Sequence, residues 1–168
     1  MKRLLVFFFI ILLMLVSACV GGYSFTGASV SADVKTFSVE NFVNRASIVQ
    51  PILASEMTYA LTNKIKSSTN LTAVDYDGDL SFKGIISGYT VTPTAISSND
   101  QATQNRLTIT IKVEFINKKN PKANFTQSFS RFKNYDSQLS LSEVEENLIS
   151  EINSELIDDI FNKALVNW

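Results

Sequence analysis

Residues 107–115, Leu107-Thr-Ile-Thr-Ile-Lys-Val-Glu-Phe115, alternate apolar and polar side chains over their whole length. A β-strand turns successive side chains to opposite faces, so this stretch predicts a strand with one buried and one solvated face. A strand of this kind is stable only when a second apolar layer covers its buried face. The rest of the chain must therefore supply that layer.

Two other segments have the apolar spacing of amphipathic helices. The first, Gln50 to Ser67, has Pro51 where a first helical turn tolerates it. Its apolar row is Leu53, Met57, Leu61 and Ile65. The second follows Ser142 and Glu145, which have the spacing of a capping box. Its apolar rows are Leu148, Ile152, Leu156 and Ile160, widened by Ile149, Ile157, Phe161 and Leu165.

Further strands are predicted on either side of the first helix. They are Val34 to Val39, Leu71 to Val74, Leu80 to Ile96 and Asn124 to Tyr135, with a loop at Asn41 to Ile48 and polar turns at 97–105 and Lys118 to Pro121. Gly84 and Gly88 mark points of close approach or a bulge in the long strand. The predicted fold is α+β, with two amphipathic helices packed on one face of a mainly antiparallel sheet of about four strands.

The segment Asp75-Tyr-Asp-Gly-Asp79 has carboxylates at alternate positions, which raises the question of a calcium site. An EF-hand loop starting at Asp75 needs glycine at position 80 and glutamate at position 86. The chain has Leu80 and Ile86 there. A plain hairpin turn is therefore the favoured interpretation.

The chain begins with Met1-Lys-Arg3, thirteen apolar residues from Leu4 to Val16, and Ser17-Ala-Cys19. This pattern is typical of a bacterial lipoprotein signal, and the apolar run is shorter than the roughly 20 residues of a membrane-spanning helix. We expect residues 1–18 to be cleaved, Cys19 to carry the lipid, residues 19–30 to form a lipidated N-terminal segment, and residues 31–168 to form one α+β domain. An uncut anchor, or a secretory signal with a chance cysteine, is the alternative.

Composition excludes several functional classes. The chain has 15 basic residues, of which Lys2 and Arg3 leave with the signal, so 13 remain against 16 acidic ones and the net charge is −3. This balance argues against nucleic-acid binding. With no histidine and one cysteine, the chain lacks Ser-His-Asp and Cys-His triads and the usual zinc ligand sets. No enzyme activity and no cofactor is expected.

Three features together resemble the LPS-assembly lipoprotein LptE family. They are Gly22-Tyr-Ser-Phe-Thr-Gly27 close after Cys19, the strand–helix–strands–helix order, and the closing residues Asp159 to Trp168. The resemblance covers essentially the whole mature chain. It implies an outer-membrane lipoprotein facing the periplasm, lodged as a plug in the β-barrel LptD, with which it places lipopolysaccharide in the outer leaflet. A periplasm-facing lipoprotein that scaffolds or binds another ligand is the alternative.

The resemblance also suggests an anionic ligand, because lipid A carries phosphates. Clustered positive charges recognise phosphate, and the best local cluster is Lys118, Lys119 and Lys122. Arg106, beside the polar 97–105 connection, is the candidate at the opposite end of the strand. The alternative is that the lysines are solvated and protect a sheet edge.

Overall fold

The structure is a computed structural model that describes residues 30–48, 50–96 and 102–166, without the side chains of residues 95, 96 and 102. The expected signal peptide, the lipidation site Cys19 and the family-like residues 22–27 lie outside this range.

Within the described residues the chain forms two α-helices, six strands and one short 3-10 helix. In chain order these are β1 (Thr36–Val39), β2 (Val43–Asn44), α1 (Leu53–Ser68), β3 (Thr72–Ala73), β4 (Leu80–Ile96), β5 (Ala102–Asn117), the 3-10 helix (Pro121–Ala123), β6 (Phe125–Asp136) and α2 (Leu141–Leu165). The α+β class is confirmed. Three details differ from expectation. α1 begins two residues after Pro51, the expected loop from Asn41 to Ile48 contains β2, and the expected polar turn at 97–105 is shorter, since β5 begins at Ala102.

The sheet is mixed, so the expectation of about four mainly antiparallel strands is wrong. Its order is β3-β1-β4-β5-β6, with β2 also paired to β4. β1 runs parallel to both β3 and β4, β2 runs parallel to β4, and β4, β5 and β6 are antiparallel. β1 and β3 are parallel because α1, which connects them, returns the chain to the end of the sheet at which β1 began, as a helical crossover does. Strands of two residues are too short to produce an alternating pattern.

The expected hairpin turn at residues Asp75–Asp79, here called the acidic loop, is also wrong. It joins β3 and β4, which lie on opposite sides of β1, so the loop crosses the backbone of β1. Gly78 makes this crossing possible, because a Cβ atom there would lie 2.7 Å from the Phe37 carbonyl carbon. Asp77 beside it takes a positive φ of 61°. Asx residues tolerate that conformation better than most side chains.

The two glycines singled out in β4 have the expected roles. A Cβ atom on Gly84 would lie 2.5 Å from the ring of Phe42, so the aromatic ring packs directly on the strand backbone. At Gly88 the pairing register of β4 against β5 shifts by one residue, which is a β-bulge. The close approach at Gly84 also explains why Phe42, outside any predicted apolar row, is buried.

The predicted core rows are confirmed. The alternating apolar side chains of β5 from Leu107 to Phe115 are buried, and so is every residue of the predicted helix rows. They form a single hydrophobic cluster together with β1 and β4 residues. The buried residues of β5 are Leu107, Ile109, Ile111, Val113 and Phe115.

The predicted capping box at Ser142 and Glu145 is wrong by two residues. The carboxylate of Glu143 accepts hydrogen bonds from the Ser140 N–H at 2.7 Å and from its hydroxyl at 2.6 Å, so α2 is capped by Ser140. Both pairs have the same spacing in the sequence. Glu145 lies beyond the capping position of this helix and instead accepts a hydrogen bond from the hydroxyl of Tyr89, whose ring is buried in the core.

Truncating a fully buried side chain of the sheet or of α2 should lower the free energy of unfolding far more than truncating a side chain on the opposite face of β5. Ile111→Ala in β5 and Ile152→Ala in α2 each remove a fully buried side chain, and such changes cost about 2–5 kcal/mol. Thr110→Ala, next to Ile111 on the opposite face, is the matched control. Thermal unfolding of the three variants measures this, and equal losses in all three would contradict the assigned face.

Candidate functional site

The lysines predicted as a phosphate site lie in the turn between β5 and β6, here called the lysine turn (Lys118–Lys122). Two of them pair with the acidic loop. Lys118 Nζ lies 2.6 Å from Asp77 Oδ1 and also donates to the Asp77 carbonyl at 2.8 Å. Lys119 Nζ lies 3.3 Å from Asp79 Oδ1. Lys122 is exposed and has no ion pair with any described residue.

Asp79 fastens the acidic loop to the start of β1. Its Oδ2 accepts hydrogen bonds from the backbone N–H groups of Lys35 at 2.9 Å and Thr36 at 3.0 Å, and from the Thr36 hydroxyl at 3.1 Å. The Asp79 N–H in turn donates to that hydroxyl at 3.0 Å. The two backbone donors, helped by Lys119, hold the pKa of Asp79 well below its usual value. Asp79 is thus a structural carboxylate.

The acidic loop and the lysine turn therefore form one neutralised cluster. The pairing of the two loops was in principle predictable from the sequence, because β4 begins just after Asp79 and β5 ends just before Lys118. Antiparallel pairing of the two strands places these ends side by side, with Leu80 opposite Asn117. Local charge clustering along the sequence shows each loop separately and therefore does not reveal their pairing.

Arg106 lies far from the lysine turn, so the structure does not bring the four predicted basic residues together. It is twelve positions from Lys118 along β5, which corresponds to about 40 Å of strand. Its guanidinium stacks over the ring of Phe132, 3.9 Å from the ring centre, and its Nε donates to Asn134 Oδ1 at 2.9 Å. In the described part of the structure Arg106 has no acidic partner.

Arg106 belongs to the face of the sheet opposite the core, here called the open face. On β4, β5 and β6 this face is formed largely by hydroxyl and charged side chains. An example of its cross-strand contacts is the hydrogen bond between the Thr110 and Ser130 hydroxyls, 3.0 Å apart. Its members on β5 and β6 include Arg106, Thr108, Thr110, Lys112, Glu114, Thr126, Ser128, Ser130, Phe132 and Asn134.

A concave surface lies between α1 and α2 and has a volume of about 860 Å³. It is here called the interhelical groove. Lys64 of α1 and Asp158 of α2 pair across it at 2.6 Å. Its wall includes Asn153, which is 6% exposed and whose Oδ1 has no hydrogen-bond partner. Glu145 also lines it, and burial, together with the bond to Glu145, raises the pKa of Tyr89. Sequence reasoning did not identify this groove, because Asn153 interrupts an apolar row without any motif.

No three histidine, cysteine, aspartate or glutamate side chains of the described residues are placed to hold a metal ion. Neither described helix has a long enough apolar stretch to cross a bilayer.

Comparison with known families gives one match. Residues 34–164 match the family model described as LptE, lipopolysaccharide-assembly. No curated protein matches the chain in sequence.

Among the solved structures that share the fold, three are compared with this chain. The hypothetical protein CT253 of Chlamydia trachomatis aligns with a TM-score of 0.56 at 7% identity, covering 80% of this chain and 99% of that one. Rare lipoprotein B of Shewanella oneidensis gives 0.52 at 14% identity, covering 74% and 91%. Lipoprotein B of Nitrosomonas europaea gives 0.52 at 11% identity, covering 76% and 79%. At these identities the likeness establishes a common fold and nothing finer.

Removing the Asp79 carboxylate should destabilise the protein in a pH-dependent way. Because the pKa of Asp79 is lowered on folding, the carboxylate stabilises the protein above about pH 4, and this stabilisation is lost as the pH falls. The melting temperature of Asp79→Asn should therefore lie below that of wild type at pH 7, and the two should converge in acid. Asp77→Asn, which removes only an exposed ion pair worth about 0–1 kcal/mol, is the control. A constant difference between Asp79→Asn and wild type from pH 7 to pH 3 would contradict this role.

Proposed function

The chain belongs to the LptE family of lipopolysaccharide-assembly proteins, and from this membership we propose that it is the plug of an LptD-like outer-membrane β-barrel. In this role it assists the placement of lipopolysaccharide in the outer leaflet. The observation that carries the proposal is the family match, which extends over residues 34–164 and so includes every described strand and almost all of α2.

The proposal includes attachment to the periplasmic side of the outer membrane through Cys19. Three sequence features support this attachment: the basic residues at the N-terminus, the apolar run after them, and the small residues before Cys19. Stable anchoring takes more than one acyl chain, since a single chain binds a membrane only reversibly. A lipidated N-terminus would hold the domain beside its barrel without a membrane-spanning helix.

The open face of the sheet is the surface that we propose meets the barrel. Barrel interiors are polar, and the hydroxyl side chains of this face provide matching hydrogen-bonding groups. We infer that α1 and α2 cover the opposite face. This arrangement is supported by ion pairs from β6 to α2, in which Arg131 contacts Asp159 through two hydrogen bonds of 2.6 and 2.7 Å, and Lys133 lies 2.8 Å from Glu155.

Lipopolysaccharide phosphates would contact the protein at the lysine turn, at Arg106, or at both. The two places differ in what an incoming anion must displace. At the lysine turn a phosphate competes with Asp77 and Asp79 for Lys118 and Lys119. Arg106 contacts the ring of Phe132 and the side-chain amide of Asn134. It can therefore bind a phosphate without losing an ionic partner.

The barrel interaction is tested by copurification after extraction in a mild detergent. Wild type should carry a stoichiometric β-barrel partner. Ser128→Trp, a bulky change at an exposed position of the open face, should reduce the yield of barrel, whereas Asn147→Trp at an exposed position of α2 should reduce it less. Recovery of wild type without any barrel would instead favour a lipoprotein that scaffolds or binds something else.

The phosphate contacts are tested by binding to purified lipopolysaccharide. Lys118→Gln/Lys119→Gln/Lys122→Gln and Arg106→Gln should each weaken binding about tenfold or more, since a hydrogen bond to a charged group contributes about 1.5–3 kcal/mol. Lys66→Gln, which removes an exposed charge from the end of α1, is the control. Unchanged affinity in the triple variant would remove the lysine turn from the site, and unchanged affinity in Arg106→Gln would remove Arg106.

A further inference from the structure

We propose that two copies of this protein pair edge to edge through β6, with the two β6 strands antiparallel and Ser130 at the two-fold axis. The two sheets then join into one continuous sheet. This pairing goes beyond the barrel partnership and does not depend on it, because it concerns the protein in the absence of its barrel.

The outer side of β6 has no strand partner among the described elements, since β6 is the last strand of the sheet. Successive residues of an antiparallel strand direct their backbone N–H and C=O groups to opposite sides. Phe82 directs its groups away from β5, because its carbonyl accepts a hydrogen bond from the Glu40 N–H. Phe115 lies opposite Phe82, and Phe125 lies opposite Phe115. Phe125 therefore directs its groups toward β5, and the even-numbered residues of β6 direct theirs outward.

The outward residues are accessible and available for pairing. All of them are exposed and uncharged, and no hydrogen bond within the described part of the chain reaches their backbone groups. Sheet edges commonly carry charges, proline or bulges, whereas β6 has no proline and pairs with β5 in an unbroken register. These residues, here called the β6 edge, are Thr126, Ser128, Ser130, Phe132 and Asn134.

α2 leaves space for a neighbouring strand on the core side of β6. The side chains of Gln127 and Arg131 lie on that side, and both residues are exposed. Lys133, one position further on the same side, is half-buried. The helix therefore covers β6 incompletely at its outer border.

The β6 edge is complementary to itself. With the two-fold axis at Ser130, Ser130 lies opposite Ser130 of the second copy, Ser128 lies opposite Phe132, and Thr126 lies opposite Asn134. Every outward residue then faces an outward residue of the second copy. Because none of them is proline, each pair can exchange two backbone hydrogen bonds.

The charges of β6 favour this register over its neighbours. On the core side it places Arg131 opposite Phe129 of the second copy and Lys133 opposite Gln127, so a cation faces an aromatic ring or an amide. Moving the axis to Arg131 would place two copies of Arg131 opposite each other, and moving it to Phe132 would place Arg131 opposite Lys133. Like charges directly opposite each other destabilise a strand pair. Moving the axis toward the start of β6 leaves outward residues without partners.

A second copy fits the β6 edge better than the wall of a barrel does. The strands of a closed barrel are paired on both sides, so the wall has no free edge to offer. A second copy offers the same unpaired backbone groups in the same order. Two-fold pairs of identical surfaces are also the commonest form of homo-oligomer.

Disulfide trapping tests the register in the full mature protein, purified in mild detergent without a barrel. In Ser130→Cys the two Cα atoms should lie about 5.5 Å apart, within the limit of about 7 Å for a disulfide. In Ser128→Cys, the matched control from the same strand, they should lie about 14 Å apart, since the two positions are four residues out of step. Mild oxidation should therefore link Ser130→Cys dimers at least about tenfold faster. Both variants retain Cys19, so any disulfide through it is a common background.

A proline at the two-fold axis tests the backbone pairing itself. Ser130→Pro removes an outward N–H, which an edge strand tolerates, and Ser130→Thr is the control that keeps it. Sedimentation equilibrium over a concentration series should show a monomer–dimer equilibrium for wild type. Ser130→Pro should raise the dimer dissociation constant about tenfold or more, because the two central hydrogen bonds are lost. Melting curves identify any variant that fails to fold, and in that case the cysteine pair alone decides.

Three outcomes would overturn the pairing. Wild type that stays monomeric at its highest soluble concentration would exclude the dimer. Equal linking rates for Ser130→Cys and Ser128→Cys would show that two copies only share a micelle. A dimer unaffected by a folded Ser130→Pro would place the contact on another surface. Barrel copurification is measured separately, so failure of the barrel partnership and failure of the β6 pairing are distinguishable.

Discussion

Burial of one face of β5 is the constraint on which the rest of the structure depends. β5 is flanked along its length by β4 and β6, and its five alternating apolar side chains are buried. Because those side chains need an apolar layer over them, the helices must supply apolar rows of matching length. The same alternation leaves threonines and charged residues on the open face. One pattern of nine residues thus determines both the core and the polar surface that is available to a partner.

Elements with long, regular patterns could be predicted, and those defined by distant contacts could not. The rows of α1 and α2, the bounds of β4 and the faces of β5 followed from spacing alone. The parallel pairs of β1 could not be predicted, because strand direction depends on how the crossover through α1 packs. The pairing of Lys118 with Asp77 was in principle predictable from the hairpin between β4 and β5, whereas the position of Asn153 in the interhelical groove required the relative placement of two helices.

The electrostatics of the domain are mostly local and compensated. Backbone N–H groups and Lys119 compensate the negative charge of Asp79, and Asp77 compensates the positive charge of Lys118. Such pairs organise loops more than they attract ligands, since an anion must displace a carboxylate to bind. Arg106 differs because its contacts with Phe132 and Asn134 fix its orientation and leave its charge uncompensated among the described residues. Sequence reasoning counted charges, but the structure shows which charges are already satisfied.

The ion pairs between β6 and α2 have a consequence for how the chain avoids aggregation while it folds. β6 is the last strand of the sheet, so among the described elements one side of its twelve-residue backbone has no strand partner. An open edge of that length is a template on which another unfolded chain could add a strand. Arg131 and Lys133 point toward the core side of this edge and are held there by acidic residues of α2. A strand added to β6 would have to place its own side chains beside those charges, which disfavours the apolar sequences most prone to misassembly.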